Sequence, residues 1–260
     1  MTEVKGADAV TAAIETAEGP AICGYVTAGY PDLESFPEIL RSVATSADVV
    51  EVGVPFTDPM ADGLTIQKAS HVALANGVSL PWILETIAGQ VDLEAPLLLM
   101  GYYNPFLAFG LSELGAALTS AGVAGLIVPD APLEESGEIG SALDPLGLAL
   151  VQLVTPTTPM RRLRHLARAS SGFVYAVTTR GVTGGNVEFS DDDLAYLGRV
   201  RDASSLPVMA GFGIRRRSQV EALADHVDGV VVGSALIDAI ESGEDPGDFL
   251  SSLRPSGVRA

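Results

Sequence analysis

Short apolar runs recur along the whole chain, separated by longer segments with helical periodicity. Eight of these runs predict strands: Ala21–Ala28, Asp48–Val54, Pro96–Met100, Gly125–Val128, Leu148–Val154, Phe173–Val177, Pro207–Ala210 and Gly229–Val232. They are mostly apolar rather than alternating, which is typical of a parallel sheet covered on both faces. The helical segments between them are Leu33–Ala44, Ile66–Ala75, Leu80–Gln90, Leu111–Ala121, Glu134–Leu146, Met160–Ala169, Asp191–Ala203, Ser218–Ala224, Ser234–Glu241 and Pro246–Leu253.

Eight β–α units in 260 residues match the size of a (β/α)8 TIM barrel of the α/β class. No linker or low-complexity tract divides the chain, so we predict one domain over residues 1–260, with a short N-terminal helix. The alternative is a doubly wound open sheet. That fold would favour a glycine-rich dinucleotide turn after the first strand, but residues 27–31 read Thr-Ala-Gly-Tyr-Pro, which is not Gly-x-Gly-x-x-Gly.

Charge and composition narrow the functional class. The net charge is −18, with two lysines against 33 acidic residues, a balance that disfavours nucleic acid as a partner. This acidity suits either a high-salt cytoplasm or plain solubility. Cys23 is the single cysteine, and the N-terminus resembles no signal peptide, so we expect a cytoplasmic protein. No apolar run approaches the ~18 to 20 residues of a membrane span.

An acidic residue interrupts the second apolar run. Glu51 stands where a buried strand would carry Val or Ile, and an unpaired buried carboxylate is costly. Either this strand is an exposed edge or Glu51 has a chemical role, and a closed barrel has no edge. Burial would raise the pKa of Glu51 and let it exchange protons near neutral pH. Asp62, in the following loop, could take the opposite proton role, while Asp58 between prolines indicates a turn or contact residue.

Other unusual residues also follow predicted strands. Tyr102 and Asn104 follow the third strand and Asp130 follows the fourth. Tyr175 lies on the sixth strand, and a glycine-rich loop at 181–185 comes after it. Because barrel active sites form at the carboxyl ends of the strands, we expect these groups to converge on one rim.

Glycines end the last two predicted strands. Residues 211–214 read Gly-Phe-Gly-Ile after the seventh strand, and Gly233-Ser234 opens a helix after the eighth. Glycines let N–H groups approach a ligand, and a helix N-terminus favours an anion. Tight turns alone would also explain them, but barrels usually bind phosphate at these two loops. The predicted phosphate site comprises Gly211, Phe212, Gly213, Gly233 and Ser234.

Three consecutive arginines, 215–217, follow the seventh strand in the first turn of the next predicted helix. They are either a solvated charged face or a means of attracting a phosphate ester to an acidic protein.

The histidines suggest no further chemistry. His71 and His165 fall on predicted helices and His226 in a loop, and no nucleophile triad or metal-ligand spacing is recognisable. We therefore predict acid–base catalysis without a metal.

Several segments resemble the tryptophan synthase α subunit family. The most specific is residues 50–63, Val-Glu-Val-Gly-Val-Pro-Phe-Thr-Asp-Pro-Met-Ala-Asp-Gly. Shorter matches follow in family order: Tyr-Val-Thr-Ala-Gly-Tyr-Pro-Asp at 25–32, Tyr-Tyr-Asn-Pro at 102–105, Pro-Asp-Ala-Pro-Leu-Glu-Glu at 129–135, Gly-Val-Thr-Gly at 181–184 and Gly-Phe-Gly-Ile at 211–214. The resemblance covers nearly the whole chain.

The resemblance implies a lyase that cleaves indole-3-glycerol phosphate into indole and glyceraldehyde 3-phosphate, the last step of tryptophan biosynthesis. By this resemblance Glu51 protonates indole C3 and Asp62 stabilises positive charge on the indole nitrogen. Tyr175 supports the site. The implied substrate and phosphate contacts include Tyr102, Thr183, Gly184, Gly213, Gly233 and Ser234. The 181–185 loop resembles a lid, on which Thr183 meets the catalytic aspartate.

The resemblance also implies a β-subunit partner in an α2β2 heterotetramer. Its expected contact residues are Pro55, Phe56, Asp58, Pro59 and Asn104. Pyridoxal phosphate is expected only in the β partner, with no cofactor in this chain.

One departure affects the lid. The family pattern places arginine two residues before the first lid glycine, whereas here Arg180 immediately precedes Gly181. Three alternatives stay open: a related barrel enzyme with a catalytic lysine, a regulatory subunit with little catalysis, and a lyase that releases free indole. The only lysines, Lys5 and Lys68, are badly placed for the first.

Overall fold

The computed structural model describes residues 5–90, 93–178, 189–211 and 213–255. Within these ranges the strands are β1 (Ala21–Thr27), β2 (Val49–Gly53), β3 (Leu97–Met100), β4 (Val123–Ile127), β5 (Ala149–Val154), β6 (Val174–Val177), β7 (Val208–Gly211) and β8 (Gly229–Val232). The helices are α1 (Gly6–Glu15), α2 (Phe36–Ser46), α3 (Leu64–Ala75), α4 (Leu80–Ala88), α5 (Tyr103–Phe109), α6 (Leu111–Ala121), α7 (Gly137–Leu143), α8 (Met160–Ala169), α9 (Asp191–Ala203), α10 (Arg217–Leu223), α11 (Ser234–Ser242) and α12 (Pro246–Leu253), with a 3-10 turn at Asp144–Leu146.

The strands close into a barrel. Each pairs in parallel with the next, and β8 pairs with β1 so that Ala21 lies opposite Gly229. The prediction of a (β/α)8 barrel is confirmed, and the open-sheet alternative is wrong. Since β2 lies between β1 and β3, it has no free edge, and the edge-strand explanation of Glu51 is wrong as well.

Two apolar cores surround the strands. One lies between the barrel and the outer helices and takes one side of each strand. The other fills the barrel interior with residues such as Cys23, Leu98 and Met209, and α1 extends it with Val10 and Ile14. This helix bonds to the segments that precede β5 and β6, because the N–H of Ala7 donates to the carbonyl of Gly147 and the hydroxyl of Thr11 to that of Gly172. It therefore covers the amino ends of the strands and leaves their carboxyl ends open for a site.

Two aspartates accept backbone hydrogen bonds at the amino ends of β1 and β7. Asp48 accepts the N–H of Ile22 at 2.7 Å, and Asp228 accepts the N–H of Val208 at 2.7 Å. An arginine pairs with each carboxylate: Arg254 with Asp48 at 3.1 Å, and Arg201 with Asp228 at 3.6 Å. This face of the barrel is therefore built for stability.

Helix α5 was not predicted, because Asn104 and Pro105 in its first turn are residues typical of loops. Its start is fixed from a distance, since the carboxylate of Asp130 accepts the N–H of Tyr103 at 2.8 Å. Helix α2 begins later than predicted, because Asp32 accepts the N–H groups of Glu34 and Ser35 and holds a turn there. No helix within the described ranges has the length and apolar character to cross a bilayer.

Candidate active site

Glu51 lies in the middle of β2 with its side chain in the closed barrel. It pairs in register with Tyr25 of β1 and Leu98 of β3, and only 1% of it is exposed. Its Oε2 atom has no hydrogen-bond partner among the described residues. Burial, and secondarily the charge of Asp62, raise the pKa of Glu51 to about 8. Glu51 therefore holds a proton at neutral pH and has an oxygen free to meet a ligand.

Asp62 occupies the loop after β2 and is partly buried. Its Oδ2 accepts a hydrogen bond from the hydroxyl of Tyr102 at 3.1 Å, and its carbonyl accepts one from the Gln67 amide at 2.8 Å. Burial raises the pKa of Asp62 to about 6, against the lowering effect of the Tyr102 hydrogen bond. Asp62 is thus mostly ionised at pH 7, when Glu51 is mostly protonated, so the two carboxyl groups have opposite proton states.

Tyr102 connects two loops of the rim. Its hydroxyl accepts the N–H of Ala61 at 2.8 Å while it donates to Asp62. Its ring stacks on Phe56 with 5.1 Å between centroids. Burial, followed by the charge of Asp62, raises the pKa of Tyr102, so it stays a neutral donor. Tyr102 thereby fixes the aspartate loop against the loop after β3.

Two buried tyrosines, Tyr25 and Tyr175, each pack directly against a glycine of a neighbouring strand. A Cβ on Gly53 would lie 2.1 Å from the hydroxyl oxygen of Tyr25, and one on Gly211 would lie 2.4 Å from that of Tyr175. Burial raises the pKa of both phenols, assisted most by Asp62 for Tyr25 and by Glu51 for Tyr175. Gly211, predicted as a phosphate contact, is buried and gives space to the Tyr175 ring.

Sequence reasoning did not select Tyr25 as a site residue. The available signal was its position two residues before the end of the first strand, a place equivalent to that of Glu51 on the second. In the structure these two residues are paired in register, and the charges of Asp62 and Glu51 both act on the Tyr25 phenol. The sequence alone did not show which face of the strand points inward.

The predicted phosphate residues lie on the loops after β7 and β8. Gly213 is exposed with a φ of 87°, and Gly233 caps α11, where Ser234 is the first helical residue. The strands below them are neighbours, since Gly211 pairs with Val231. The first N–H groups of a helix have no intrahelical acceptor, and Gly233 supplies no side-chain cap. The predicted residues Thr183, Gly184 and Phe212, with Arg180, lie outside the described residues.

The arginines at 215–217 have partners within the chain. Arg215 pairs with Asp238 of α11 at 2.8 Å, and Nε of Arg217 donates to the carbonyl of Ser252 at 3.0 Å. Helix α10 begins only at Arg217, so the prediction that all three occupy its first turn is wrong. These contacts favour a structural role over attraction of a ligand.

Of the lysines, Lys68 is exposed and pairs with Glu241 on the outside of the barrel. This position gives no support to the alternative of a catalytic lysine. The described residues contain no cluster of acidic, histidine or cysteine side chains suited to a metal ion.

The predicted contact residues are distributed between surface and interior. Asp58 and Asn104 are exposed and Phe56 is partly buried, whereas Pro55 and Pro59 are buried within the chain. Three apolar side chains on the same rim were not selected: Met60, Leu64 and Leu107, which are 92%, 74% and 49% exposed. Large exposed apolar side chains on the rim that carries the site are candidates for an interaction surface.

Comparisons with known proteins agree over almost the whole chain. The sequence profile of the family described as "Tryptophan synthase alpha chain" matches residues 11–252. A tryptophan synthase alpha chain from Roseiflexus sp. (strain RS-1) is 44% identical over 244 residues, covering 90% of this chain and 93% of the relative. One from Caulobacter sp. (strain K31) is 43% identical, covering 89% and 85%.

Solved structures give the same result. Tryptophan synthase from Mycobacterium tuberculosis in space group F222 superposes with a TM-score of 0.88 at 34% identity, covering 99% of this chain and 100% of that one. The tryptophan synthase a2b2 complex from Pyrococcus furiosus gives a TM-score of 0.83 at 33% identity, covering 92% and 99%.

Proposed function

This chain belongs to the tryptophan synthase alpha chain family, and from that premise we propose which of its residues carry the reaction. The chain is a lyase that cleaves indole-3-glycerol phosphate to indole and glyceraldehyde 3-phosphate. Glu51 is the proton donor, Asp62 the anionic stabiliser, and Tyr102, Tyr25 and Tyr175 hold these groups in place. The observation that carries this assignment is the unpaired Oε2 of a buried, protonated Glu51 opposite an ionised Asp62.

The chemistry needs a proton at indole C3, because an indole carbanion is a poor leaving group. The carboxylic acid of Glu51 gives its proton to C3, and the indole ring becomes a cation with its charge on nitrogen. Asp62 accepts a hydrogen bond from that nitrogen and stabilises the charge. The C3–C3′ bond then breaks, and its electron pair returns to the ring. The C3′ hydroxyl loses its proton to the Glu51 carboxylate, which leaves an aldehyde and restores the acid.

The phosphate of the substrate binds at the loops after β7 and β8. Backbone N–H groups at Gly213 and at the start of α11, Gly233 and Ser234, meet its oxygens. The family resemblance adds Thr183 and Gly184 to these contacts. Neutral N–H donors and a helix N-terminus compensate locally for the strongly acidic chain. This arrangement sets the indole ring toward Glu51 and the phosphate toward the loops after β7 and β8.

A β subunit binds this rim in an α2β2 assembly. The P. furiosus relative is an a2b2 complex, which supports such an assembly here. The contact surface combines the predicted residues Phe56, Asp58 and Asn104 with the exposed side chains of Met60 and Leu64. Pro55 and Pro59 shape the loop from within. Proton transfer within this chain needs no cofactor, and pyridoxal phosphate belongs to the β partner. We expect the reaction in the cytoplasm.

The test is indole release from indole-3-glycerol phosphate, measured with a β subunit titrated in. Glu51→Gln keeps the volume but removes the proton, so the rate should fall by about 10²-fold or more, and Asp62→Asn should also lower it. Glu38→Gln, an exposed change on α2, should leave the rate unaltered. Equal, measurable rates for wild type and Glu51→Gln would reject Glu51 as the acid. If both were equally inert, alone and with the β subunit, a regulatory subunit would be favoured.

A further inference from the structure

One buried side chain holds the loop between β7 and α10. Gln219 lies in the first turn of α10 and is 6% exposed. Its Oε1 accepts the N–H groups of Arg215 at 2.8 Å and Arg216 at 3.1 Å. Its Nε2 donates to the carbonyl of Gly213 at 3.0 Å. A single amide thus meets three backbone groups of the loop that carries Gly213.

These bonds set the direction of one peptide plane. The carbonyl of Gly213 points at Gln219, and in a trans peptide the N–H of the next residue points the opposite way. The N–H of Ile214 is therefore directed away from Gln219, and it has no acceptor among the described residues. An unmet backbone donor beside an exposed glycine of positive φ is a suitable contact for an anion.

The opposite orientation would be unfavourable for a phosphate. If the Gly213–Ile214 peptide rotated by half a turn, the carbonyl oxygen would face the ligand and its dipole would repel the negative charge. Gly213, which has no Cβ, allows backbone rotation more easily than other residues do. A specific hydrogen bond to its carbonyl is therefore needed to keep one orientation.

We propose that Gln219 is a positioning residue for the phosphate group of the substrate. It keeps the Gly213 carbonyl turned away and the Ile214 N–H turned toward the anion, without touching the ligand itself. This inference rests on the proposed phosphate site between the loops after β7 and β8. Gln219 is also the N3 residue of a capping box, which explains its bond to the N–H of Arg216. The bonds to the Gly213 carbonyl and the Arg215 N–H go beyond that box and hold the loop itself.

The experiment replaces the amide by a side chain of equal length. Gln219→Met loses all three hydrogen bonds while keeping the volume. We expect the KM for indole-3-glycerol phosphate to rise about tenfold, the effect of roughly one hydrogen bond, with kcat nearly unchanged. The dissociation constant of glycerol 3-phosphate, measured by calorimetry, should rise by the same factor. A purely structural role would lower the melting temperature without this division between KM and kcat.

The matched control is Gln90→Met. Gln90 also uses its amide, donating to the carbonyl of Thr86 at 3.2 Å and accepting from Arg41 at 3.3 Å. It follows α4 at the opposite end of the barrel, so its loss should leave glycerol 3-phosphate binding unaltered. Binding weakened equally by both variants would overturn the proposal, because it would indicate a general effect of losing an amide.

A third variant distinguishes an error in the role of Gln219 from an error in the phosphate site itself. Ser234→Pro removes one N–H from the first position of α11, where proline is tolerated. If it weakens glycerol 3-phosphate binding and Gln219→Met does not, the phosphate site stands and the role of Gln219 is rejected. If neither variant weakens binding, the proposed phosphate site is itself wrong.

A measurement on the wild-type protein covers the case in which Gln219→Met does not fold. The backbone amide resonances of Ile214 and Ser234 are followed by NMR during titration with glycerol 3-phosphate. Both should shift with the same dissociation constant. A shift at Ser234 with none at Ile214 would overturn the proposal.

Discussion

The hydroxyl of Tyr102 donates a hydrogen bond to Oδ2 of Asp62 at 3.1 Å, although the two residues are 40 positions apart in the chain. The same hydroxyl accepts the N–H of Ala61 at 2.8 Å. One side chain therefore fixes both the position of the aspartate loop and the charge of the aspartate. This relationship makes the function of Asp62 dependent on a residue that follows a different strand.

Removing this hydroxyl should alter the pH dependence of the reaction. A hydrogen bond to the ionised form lowers a carboxyl pKa, so Tyr102→Phe should raise the pKa of Asp62 above its value of about 6. Less of Asp62 is then anionic at pH 7, and kcat should fall about tenfold or more. In a profile of kcat/KM, the acid limb should move to higher pH. Tyr103→Phe is the control, since its hydroxyl makes no hydrogen bond among the described residues.

The stability of the protein should fall as pH rises through the range set by Glu51. The unfolded chain releases this proton near pH 4.5, whereas the folded protein keeps it up to about pH 8. Between these values the folded state binds more protons, so the free energy of unfolding decreases with pH, by on the order of 1 kcal/mol per pH unit. Glu51→Gln should flatten this slope in urea titrations between pH 7 and 8, above the pKa of about 6 around which Asp62 also contributes to it.

The control for that slope is Glu134→Gln. The Arg162 guanidinium lowers the pKa of Glu134 to about 2. Glu134 is therefore ionised in the folded protein throughout the pH range of the titration. This variant should keep the wild-type slope between pH 5 and 8. A slope that survives above pH 7 in Glu51→Gln would show that a group other than Glu51 and Asp62 titrates there.

Gly53 should not tolerate even the smallest side chain. A Cβ at this position would lie 2.1 Å from the Tyr25 hydroxyl, which would have to leave its place beside Glu51. We expect Gly53→Ala to lower stability by about 1 to 3 kcal/mol and to lower kcat. Gly198→Ala on α9 meets nothing within 4 Å and should be neutral or slightly stabilising. Chemical denaturation and indole release would show whether Gly53 is as constrained as this contact requires.

Removing Arg254, at the amino ends of the strands, should lower stability more than removing the exposed Lys68. Arg254 and Asp48 are 14% and 18% exposed, and Asp48 also holds the N–H of Ile22. Arg254→Ala leaves this carboxylate without its cation, so we expect a loss of about 1 to 3 kcal/mol with unchanged kcat. Lys68→Ala breaks an exposed pair and should cost less than about 1 kcal/mol. Similar losses for both variants would contradict the difference in burial.

An acidic substitution on the exposed rim should weaken the partner contact. Met60→Glu places a charge on a side chain that is 92% exposed, so the isolated chain should keep its stability. Half-maximal activation of indole release should then need a higher β-subunit concentration. Leu146→Glu, at the opposite end of the barrel and 47% exposed, is the control. Equal affinity of wild type and Met60→Glu for the β subunit would remove this residue from the proposed interface.

Much of the architecture could be predicted because it follows from local patterns. All eight strands lie within two residues of their predicted limits, and α6, α8, α9 and α12 have the predicted bounds. Helix α5 was missed because its first turn depends on the carboxylate of Asp130. Because the residue that caps this helix lies on another loop, the sequence of the helix itself contains no N-cap that would predict its start.

For the site, the sequence by itself determined which residues could react. It showed a carboxylate in an apolar strand, a second in the next loop and glycines after the last two strands, since chemistry and spacing are local properties. Only the tertiary structure decided that Glu51 has a pKa of about 8 and Asp62 one of about 6, that Tyr25 lies beside them and that Gln219 turns a peptide plane. These properties depend on burial and on contacts between residues far apart in the chain, which exist only once the barrel has closed.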